Sequence, residues 1–403
     1  MRSKRLRHII FCSISKGNSV FSTDKLTMIY GNRVLFQDVS LHFHARKRYG
    51  LVGANGAGKT NLLEAVSLFS PGRGLRRAAL ADLRRKSETD SPPNWGIAAS
   101  LSGAEPEDTG PKIGTGQIPN APSRRQIRID GKGASGPDLA KLVSINWLTP
   151  AQDRLFTGPA SERRKFLDRM CLAYAPAHGS TMLAFEKSRS ERNRLLSERI
   201  DDAYWFDALE ADMAERGAQI ARARFVAVQA LSAQITARPE NAFPKAALSL
   251  DGEAEALYLA GAEEGEVCEF IAQALRTDRH IDQRAGRTLR GIHKTDLAVT
   301  HIPKSMPASD CSTGEQKALL IGLVLAHARS QMQMEDTAPR TALLLLDEVA
   351  AHLDEIRRAA LAEDLIELGA QVFLTGTDEN LFSAFAGRAQ VFKVEDNMLH
   401  IQT

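Results

Sequence analysis

The chain has 403 residues, 43% of them hydrophobic and 25% charged, which is the composition of an ordinary globular protein with roughly two or three structural units. A net charge of +3 excludes a strong overall field that would attract nucleic acid, so any DNA affinity has to come from local basic patches. The longest apolar runs are well short of the roughly 20 residues that span a bilayer, which argues against a membrane domain within the chain.

The first residues and the cysteines both indicate a cytoplasmic protein. Residues 1–20 are basic but contain too little apolar sequence for a secretory signal, so we interpret them as an exposed extension. The 4 cysteines have neither paired nor metal-ligand spacing, which is typical of structural thiols in a reducing compartment.

The segment GANGAGKT matches the phosphate-binding loop pattern G-x-x-x-x-G-K-[ST]. A strand-like run, RYGLVG, leads into it and a helical pattern, TNLLEAVSLF, follows it, which is the context that the motif requires. We expect Lys59 to reach the β- and γ-phosphates of ATP and Thr60 to ligate Mg²⁺. The predicted nucleotide-binding residues are Gly53, Ala54, Asn55, Gly56, Ala57, Gly58, Lys59, Thr60 and Asn61.

The middle of the chain changes character twice. Residues 72–138 are rich in Gly, Pro, Ser and Arg, which predicts short antiparallel strands joined by long loops, with RRQIRID as one strand. Residues 159–236 carry three segments of helical period, interrupted at APAHGS and DDAYW. Since no heptad repeat persists, we expect a compact helical arm and not a long coiled coil.

The last part returns to alternating helices and strands. STGEQKALLIGLVLAHARSQM predicts an amphipathic helix, TALLLLDE a buried strand, DEIRRAALAEDLIELG a helix and AQVFLTG another strand. Asp347 and Glu348 end the first of these strands, so Asp347 is a candidate Mg²⁺ ligand and Glu348 a candidate for polarising the attacking water. Glu348 and Lys59 are therefore the predicted catalytic residues.

The segment CSTGEQKALL resembles the signature sequence of ABC ATPases, and its matching residues are Ser312, Thr313, Gly314 and Glu315. A plain helix cap is an alternative, because Thr313 and Gln316 also fit the capping-box pattern, and both interpretations can hold together. In ABC ATPases the signature acts on the nucleotide held by the opposite subunit. The resemblance therefore implies an ATP-dependent head-to-tail homodimer with two nucleotides between the subunits.

Two further segments extend the ABC resemblance. Asp354 in AAHLD stands where the D-loop is found, and FLTGTD stands where transporter ATPases have a switch histidine. Thr375, Gly376 or Thr377 takes that place here, which argues against a transporter and leaves the γ-phosphate sensor unassigned. The predicted fold class is α/β: an ABC-type P-loop ATPase head, a mixed sheet with flanking helices, plus an inserted mainly helical arm. The predicted domains are 1–158 and 286–403 for the two head lobes and 159–285 for the arm.

Several segments from about Asn55 to the C-terminus resemble the RecF family of the SMC/Rad50-like ATPases: GKTNLLEAVSLFSPGRGLRR, WLTPAQDRLFTGPASERRKFLDRM, GIHKTDL, CSTGEQKALLIGLVLAHAR and LLLLDEVAAHLD. The resemblance implies slow Mg²⁺-dependent ATP hydrolysis, dimerisation on DNA, and binding to single- and double-stranded DNA near gaps. It further implies roles in DNA replication, DNA repair and the SOS response to damage. The implied partners are RecR- and RecO-like mediators and the RecA recombinase, whose loading the protein would assist.

Residues 21–54 resemble instead the front end of an ABC-F or transporter ATPase. In that pattern an aromatic residue such as Tyr30 stacks on adenine, and the alternative is an aromatic side chain in a turn before Gly31. The front end alone keeps two other functions open, an ABC-F-like ribosome-associated ATPase and another ABC ATPase subunit.

Local basic clusters are the candidate DNA contacts, represented by Arg76, Arg77, Arg163 and Arg164. Contacts to phosphate from such clusters are independent of sequence and sensitive to salt. A solvated helix face is the alternative for each cluster, and for Arg163 and Arg164 the neighbouring Phe166 and Leu167 favour an amphipathic helix.

Overall fold

The computed structural model describes residues 11–12, 21–30, 33–43, 47–83, 95–101, 110–334, 341–385, 387–395 and 398–402, with the first three ranges described by their backbone. Within these residues no helix is both long enough and apolar enough to cross a membrane.

The described chain alternates between strands and helices. The strands are β1 (Phe11–Cys12), β2 (Phe21–Tyr30), β3 (Arg33–Phe43), β4 (Arg48–Val52), β5 (Gly96–Ser100), β6 (Lys112–Ile118), β7 (Ala121–Ile129), β8 (Lys132–Ala134), β9 (Val143–Leu148), β10 (Ala246–Asp251), β11 (Asp296–His301), β12 (Met306–Pro307), β13 (Thr341–Leu346), β14 (Gln371–Gly376), β15 (Ala389–Glu395) and β16 (Met398–Gln402). The helices are α1 (Lys59–Ser67), α2 (Gly136–Leu142), α3 (Ala160–Cys171), α4 (His178–Glu198), α5 (Ala203–Ala237), α6 (Glu253–Leu259), α7 (Glu264–Thr277), α8 (Arg279–Ala285), α9 (Thr313–Met332) and α10 (Glu355–Glu367).

These elements form two compact units. The first unit comprises residues 1–152, 241–243 and 328–403, and the second comprises 153–240 and 244–327. Helix α9 therefore begins in the second unit and ends in the first. The predicted division at residues 158 and 285 remains a prediction.

The first unit is built on a six-stranded sheet in the order β16-β15-β4-β14-β13-β9. All its neighbouring pairs are parallel except β15 with β16, so the sheet is mixed, as predicted. Strand β14 is buried along its whole length, and β13 is a run of leucines, as expected for parallel strands covered on both faces. Since β4, β14 and β13 are parallel neighbours, their carboxyl ends meet at one edge of the sheet.

A four-stranded antiparallel sheet, β5-β6-β7-β8, shares a hydrophobic core with the six-stranded sheet. The core joins Ile113 and Ile127 of the smaller sheet to Leu63 of α1 and to Leu345 of β13. The short antiparallel strands predicted between residues 72 and 138 are confirmed, and RRQIRID contributes to β7. Strands β1, β2 and β3 form a separate three-stranded sheet.

The second unit is mainly helical, with the small sheet β10-β11-β12. The three predicted helical segments between residues 159 and 236 are confirmed as α3, α4 and α5. The Asp202 side chain caps α5 by accepting a hydrogen bond from the Trp205 N–H, so DDAYW contains the start of a helix.

Two arginines with no exposed surface link the elements of the second unit. Arg224 on α5 donates to both carboxylate oxygens of Asp168 on α3, at 2.8 and 3.1 Å, and to Glu255 on α6 at 3.3 Å. Arg192 on α4 donates to Glu210 at 3.0 Å and to Asp282 at 2.6 Å. Because each buried guanidinium faces two carboxylates, its charge is compensated where water cannot reach it.

The cysteines whose side chains the structure describes, Cys171, Cys268 and Cys311, are free thiols. Cys171 lies near Asp168 and His178, at distances that a metal ion would require. Both Asp168 oxygens already accept from Arg224, and one also contacts His178 at 3.0 Å. Burial raises the pKa of the Cys171 thiol, so this cluster is an ion-paired part of the core with a neutral thiol beside it.

Candidate nucleotide-binding site

The loop between β4 and α1 is shaped by glycines. A Cβ on Gly53 would lie 2.5 Å from the carbonyl oxygen of Val394, so the close packing of β4 against β15 admits only glycine at this position. Gly56 and Gly58 have φ of 84° and 104°, in the left-handed region that glycine adopts without strain. The loop therefore curls into the start of α1, where no side chain caps the helix N-terminus.

Lys59, the first residue of α1, folds back over this loop. Its Nζ donates to the carbonyl oxygens of Gly53 at 2.6 Å and of Ala54 at 3.0 Å, and the residue is only 4% exposed. Burial lowers the pKa of the Lys59 ammonium, while the nearby carboxylates of Glu348 and Asp347 act in the opposite direction. The carbonyl oxygens hold the ammonium where phosphate oxygens are expected in a loaded loop.

Asp347 is placed beside the loop by β13, as the sequence predicted for a strand-end carboxylate. Its Oδ1 accepts hydrogen bonds from Thr60 Oγ1 at 2.9 Å and from Thr375 Oγ1 at 2.8 Å. Its N–H donates to the carbonyl oxygen of Leu148 on the neighbouring strand at 2.9 Å. The Thr60 hydroxyl oxygen and the Asp347 carboxylate oxygen thus lie side by side, and oxygen atoms of this kind are the ligands that Mg²⁺ prefers.

Glu348 has an unusual backbone conformation, with φ of 53° in the left-handed region, which is uncommon for a residue other than glycine. Its N–H donates to Thr375 Oγ1 at 2.9 Å. The conformation ends β13 abruptly and directs the next residues into a 3₁₀ turn, Val349–His352. Backbone strain of this kind accumulates at functional sites, and the catalytic role of Glu348 remains a prediction.

Thr375 is the site residue whose role the sequence did not indicate. It lies at the end of β14, between the strand of the phosphate loop and the strand of Asp347, and is 1% exposed. Its single hydroxyl donates to Asp347 and accepts from Glu348. Thr375 thus holds the two acidic residues in position, whereas Thr377 is exposed. The role of Thr375 depends on the strand order β4-β14-β13, which the sequence alone does not give.

Arg76 contacts the helix of the phosphate loop. Its guanidinium donates to Asn61 Oδ1 and to Glu64 Oε2, the latter at 3.2 Å. Burial raises the pKa of Glu64, and Arg76 acts in the opposite direction. Asn61, predicted from the motif to bind nucleotide, is thereby linked to a residue predicted to bind DNA.

The signature residues lie in the second unit, at the start of α9. The predicted cap between Thr313 and Gln316 is wrong: Glu315 accepts from the Ser312 N–H at 3.1 Å and from Ser312 Oγ at 2.8 Å. Gln316 donates instead to the carbonyl oxygen of Cys311 at 2.8 Å. The S/T-x-x-E/Q pattern occurs in two overlapping registers here, and the helix begins at Thr313, so Ser312 takes the cap position.

Asp354, at the predicted D-loop position, is the N-cap of α10. Its Oδ1 accepts from the Arg357 N–H at 2.8 Å, and the residue is exposed. Capping explains why an aspartate stands at this position, and the exposed side chain can also be reached by a partner subunit.

The four arginines proposed for DNA fall into two groups. Arg76 and Arg77 are exposed. Arg163 instead forms a bidentate pair with Asp296, at 2.8 and 2.7 Å, and Arg164 donates to the carbonyl oxygen of Thr295 at 2.8 Å. Arg163 therefore links α3 to β11 through this ion pair. Its contacts fit the amphipathic-helix interpretation better than a DNA contact.

The structure does not test Tyr30, the residue predicted to stack on adenine, and it gives two other polar residues, His293 and Gln152, local contacts. The side chain of Tyr30 lies outside the described residues, and its backbone ends β2. His293 contacts the carbonyl oxygen of Thr288 through Nε2 at 3.2 Å, and burial lowers its pKa to about 4. Gln152 accepts from the Thr149 N–H at 3.1 Å, which gives it a role in a local turn.

Comparison with known proteins places these motifs in one family. Residues 25–400 match the model of the RecF/RecN/SMC N terminal domain, so the match includes most of the front end that resembled another ABC class. The DNA replication and repair protein RecF of Brucella suis biovar 1 (strain 1330) is 50% identical over 351 residues, covering 87% of this chain and 89% of that protein. RecF of Caulobacter vibrioides is 48% identical, covering 86% of this chain and 90% of that protein.

Solved structures agree on the fold. The structure of the recombination mediator protein RecF-ATPrS in the RecFOR pathway aligns with a TM-score of 0.76 and 21% identity, covering 98% of this chain and 100% of that chain. RecF-ATP of the same pathway aligns with a TM-score of 0.72 and 21% identity, covering 96% of this chain and 100% of that chain. The family match and the two curated relatives, together with the phosphate loop and acidic pair built at one sheet edge, lead to one conclusion: the chain belongs to the RecF family of the SMC/Rad50-like ATPases.

Proposed function

We propose that this chain is a RecF-type DNA replication and repair ATPase, which binds ATP at Gly53–Asn61 and couples nucleotide binding to dimerisation on DNA. The observation that carries the proposal is that Lys59, Thr60, Asp347 and Glu348 lie at the carboxyl ends of β4 and β13. Thr60 donates to Asp347, and Thr375 bonds both acidic residues. Ligand sites in sheets of this kind lie at that edge. The relatives named as RecF are about half identical over most of the chain.

Different residues of the site bind the phosphates, activate the water and ligate Mg²⁺. The N–H groups at the start of α1, which no side chain caps, and the Lys59 ammonium bind the phosphates, and Lys59 leaves the loop carbonyls that it contacts in this structure. Glu348, which follows the strand end, orients and polarises the attacking water. Thr60 and Asp347 fit Mg²⁺ by ligand chemistry and proximity, and the ion, when bound, supplies charge neutralisation at the β- and γ-phosphates.

The second copy of the chain completes the site in this proposal. Ser312, Thr313 and Gly314 are exposed or half-buried at the start of a 20-residue helix, where N–H groups and a hydroxyl can meet a phosphate from outside. Slow turnover follows, because each active site has to wait for a partner subunit. Asp354 would lie at the same interface.

DNA contact is assigned to the exposed Arg76 and Arg77 in the first unit, with Arg164 as a weaker candidate. Contacts of arginine to phosphate are independent of sequence, so the proposal is structure-selective binding near gaps. RecR- and RecO-like mediators and RecA are the proposed partners, supported by the solved structures of RecF, a recombination mediator protein of the RecFOR pathway. Such work on chromosomal DNA would take place in the cytoplasm.

The test is the ATPase rate of the purified protein with Mg²⁺, measured alone, with gapped double-stranded DNA and with ribosomes. Gapped DNA should stimulate hydrolysis and ribosomes should not. Lys59→Met should remove ATP binding, because charged hydrogen bonds of this kind contribute about 1.5–3 kcal/mol each. Lys141→Met, at an exposed lysine of α2, is the matched control and should bind ATP normally. Stimulation by ribosomes alone would overturn the proposal.

A further inference from the structure

One carboxylate at the start of α9 holds two groups at once. Glu315 Oε2 accepts from the hydroxyl of Ser312 at 2.8 Å and from its N–H at 3.1 Å. Glu315 Oε1 forms an ion pair with Nζ of Lys304. A lysine outside the signature is therefore connected to the signature hydroxyl through a shared carboxylate.

The backbone fixes Lys304 in this place. It is the last residue of a 3₁₀ turn, Ile302–Lys304, and its N–H donates to Nδ1 of the buried His301 at 3.2 Å. The next residue, Ser305, has φ of 48°, and its N–H closes the turn on the carbonyl oxygen of Ile302 at 3.1 Å. Strand β12 then pairs with β11. The turn is thus anchored on both sides, and Lys304 projects from it with about half of its side chain exposed.

The shared carboxylate creates a conflict for phosphate binding. A serine hydroxyl has one proton to donate, so Ser312 has to leave Glu315 before it can donate to a phosphate. The hydrogen bond from Lys304, followed by the two bonds from Ser312 and, least, by the charge of Lys304, lowers the pKa of Glu315 to about 2, so the carboxylate stays ionised at neutral pH. An ionised carboxylate beside a γ-phosphate repels it unless a cation is present.

We propose that Lys304 is a positioning residue of the γ-phosphate site that two copies of the chain form. Its ammonium neutralises Glu315, which allows the Ser312 hydroxyl to turn from the carboxylate to the phosphate of the opposite subunit. The inference rests on the proposed function, since it requires the ATP-bound dimer. Lys304 acts through Glu315, and the phosphate is contacted by Ser312.

The test measures the dimer dissociation constant at saturating ATP and Mg²⁺ by analytical ultracentrifugation, in a Glu348→Gln background that slows hydrolysis. Lys304→Met should weaken the dimer about two- to fivefold for each of its two sites, the scale of an exposed charge pair. Lys304→Arg should restore it, because the positive charge returns. Adding Glu315→Gln to Lys304→Met should also restore it, since the unpaired carboxylate is then gone. Lys141→Met is the control for loss of an exposed, carboxylate-paired lysine and should change nothing.

Each result separates the alternatives. If Lys304→Met dimerises as tightly as its parent, the inference is overturned and the proposed function stands. If Lys304→Met and the double variant are equally weak while both unfold at the parent's temperature, Lys304 does not act through Glu315 and the inference is again overturned. If the Glu348→Gln parent itself stays monomeric with ATP, the proposed dimeric function fails, and the inference fails with it.

Discussion

At the scale of single residues, the nucleotide site depends on Thr375 as much as on the motif residues. Its buried hydroxyl donates to Asp347 and accepts from the N–H of Glu348. The comparison with transporter ATPases left Thr375, Gly376 and Thr377 open at this place and did not indicate these hydrogen bonds, because the two acidic residues follow the neighbouring strand β13. Transporter ATPases have a histidine in this region, whereas here Thr375 forms hydrogen bonds with Asp347 and Glu348.

Thr375→Val tests this role. Valine keeps the shape but leaves the partly buried N–H of Glu348 without the Thr375 hydroxyl, which costs about 1–3 kcal/mol of the free energy of unfolding. The turnover number for ATP should fall about tenfold, because a misplaced Glu348 no longer orients water, while ATP affinity should change little. Thr375→Ser keeps the hydroxyl and should behave like the parent. Urea unfolding, steady-state ATPase rates and ATP titration measure the three quantities; an unchanged turnover number in the valine variant would contradict the assignment.

His327 on α9 gives the stability a predictable pH dependence. It is 1% exposed, and burial lowers its pKa to about 3 from an unfolded value near 6.5. Between these pH values the unfolded chain binds the proton and the folded chain does not, so stability is lost as the pH falls below about 6.5. One such group contributes a slope of up to about 1.4 kcal/mol per pH unit.

The measurement is urea unfolding of the parent and of His327→Gln between pH 4 and pH 7. The glutamine variant should be less stable at pH 7, because it packs less well beside Tyr174, but its stability should depend less steeply on pH. Parallel pH curves for the two proteins would show that His327 is not the group responsible.

At the scale of elements, the helices and strands of the head and arm followed from periodicity. Strand β13 and the arm helices α3 to α5 were predicted from patterns that repeat within their own sequences. Helix α9 was predicted as a helix correctly, but its amphipathic character was wrong, because residues 316–328 are all buried. The order of strands in the sheet could not be predicted in this way, since pairing of β4 with β14 joins residues far apart in the chain. The same limit explains why the hydrogen bonds of Thr375 were not predicted. The Ser312–Glu315 cap was missed for a local reason, because two overlapping registers fit the same capping pattern.

The arm helices are joined by buried charges as well as apolar contacts. Arg224→Met should destabilise the protein by about 3–5 kcal/mol, because Asp168 and Glu255 would be left buried without their cation. Arg216→Met on the same helix removes an exposed pair with Asp212 and should cost at most about 1 kcal/mol. Urea unfolding at pH 7 compares the two variants, and equal losses would contradict the importance assigned to the buried pair.

At the scale of the whole molecule, the motifs divide between the two compact units. The phosphate loop and the acidic pair belong to the first unit, and the signature belongs to the second. In the proposed dimer each unit contributes to a different nucleotide, so ATP binding at one site draws on both copies of the chain. The account therefore predicts a change of assembly with nucleotide, beyond a local change at the loop.

The most direct measurement of this central claim is the mass in solution of Glu348→Gln, determined by size-exclusion chromatography with light scattering. With saturating ATP and Mg²⁺ the protein should elute at twice the mass of one chain, and with ADP at the mass of one chain. Adding Ser312→Arg, which places a bulky side chain at the signature, should return the ATP-bound protein to a single chain. A Glu348→Gln protein that binds ATP and keeps the mass of one chain would contradict the account.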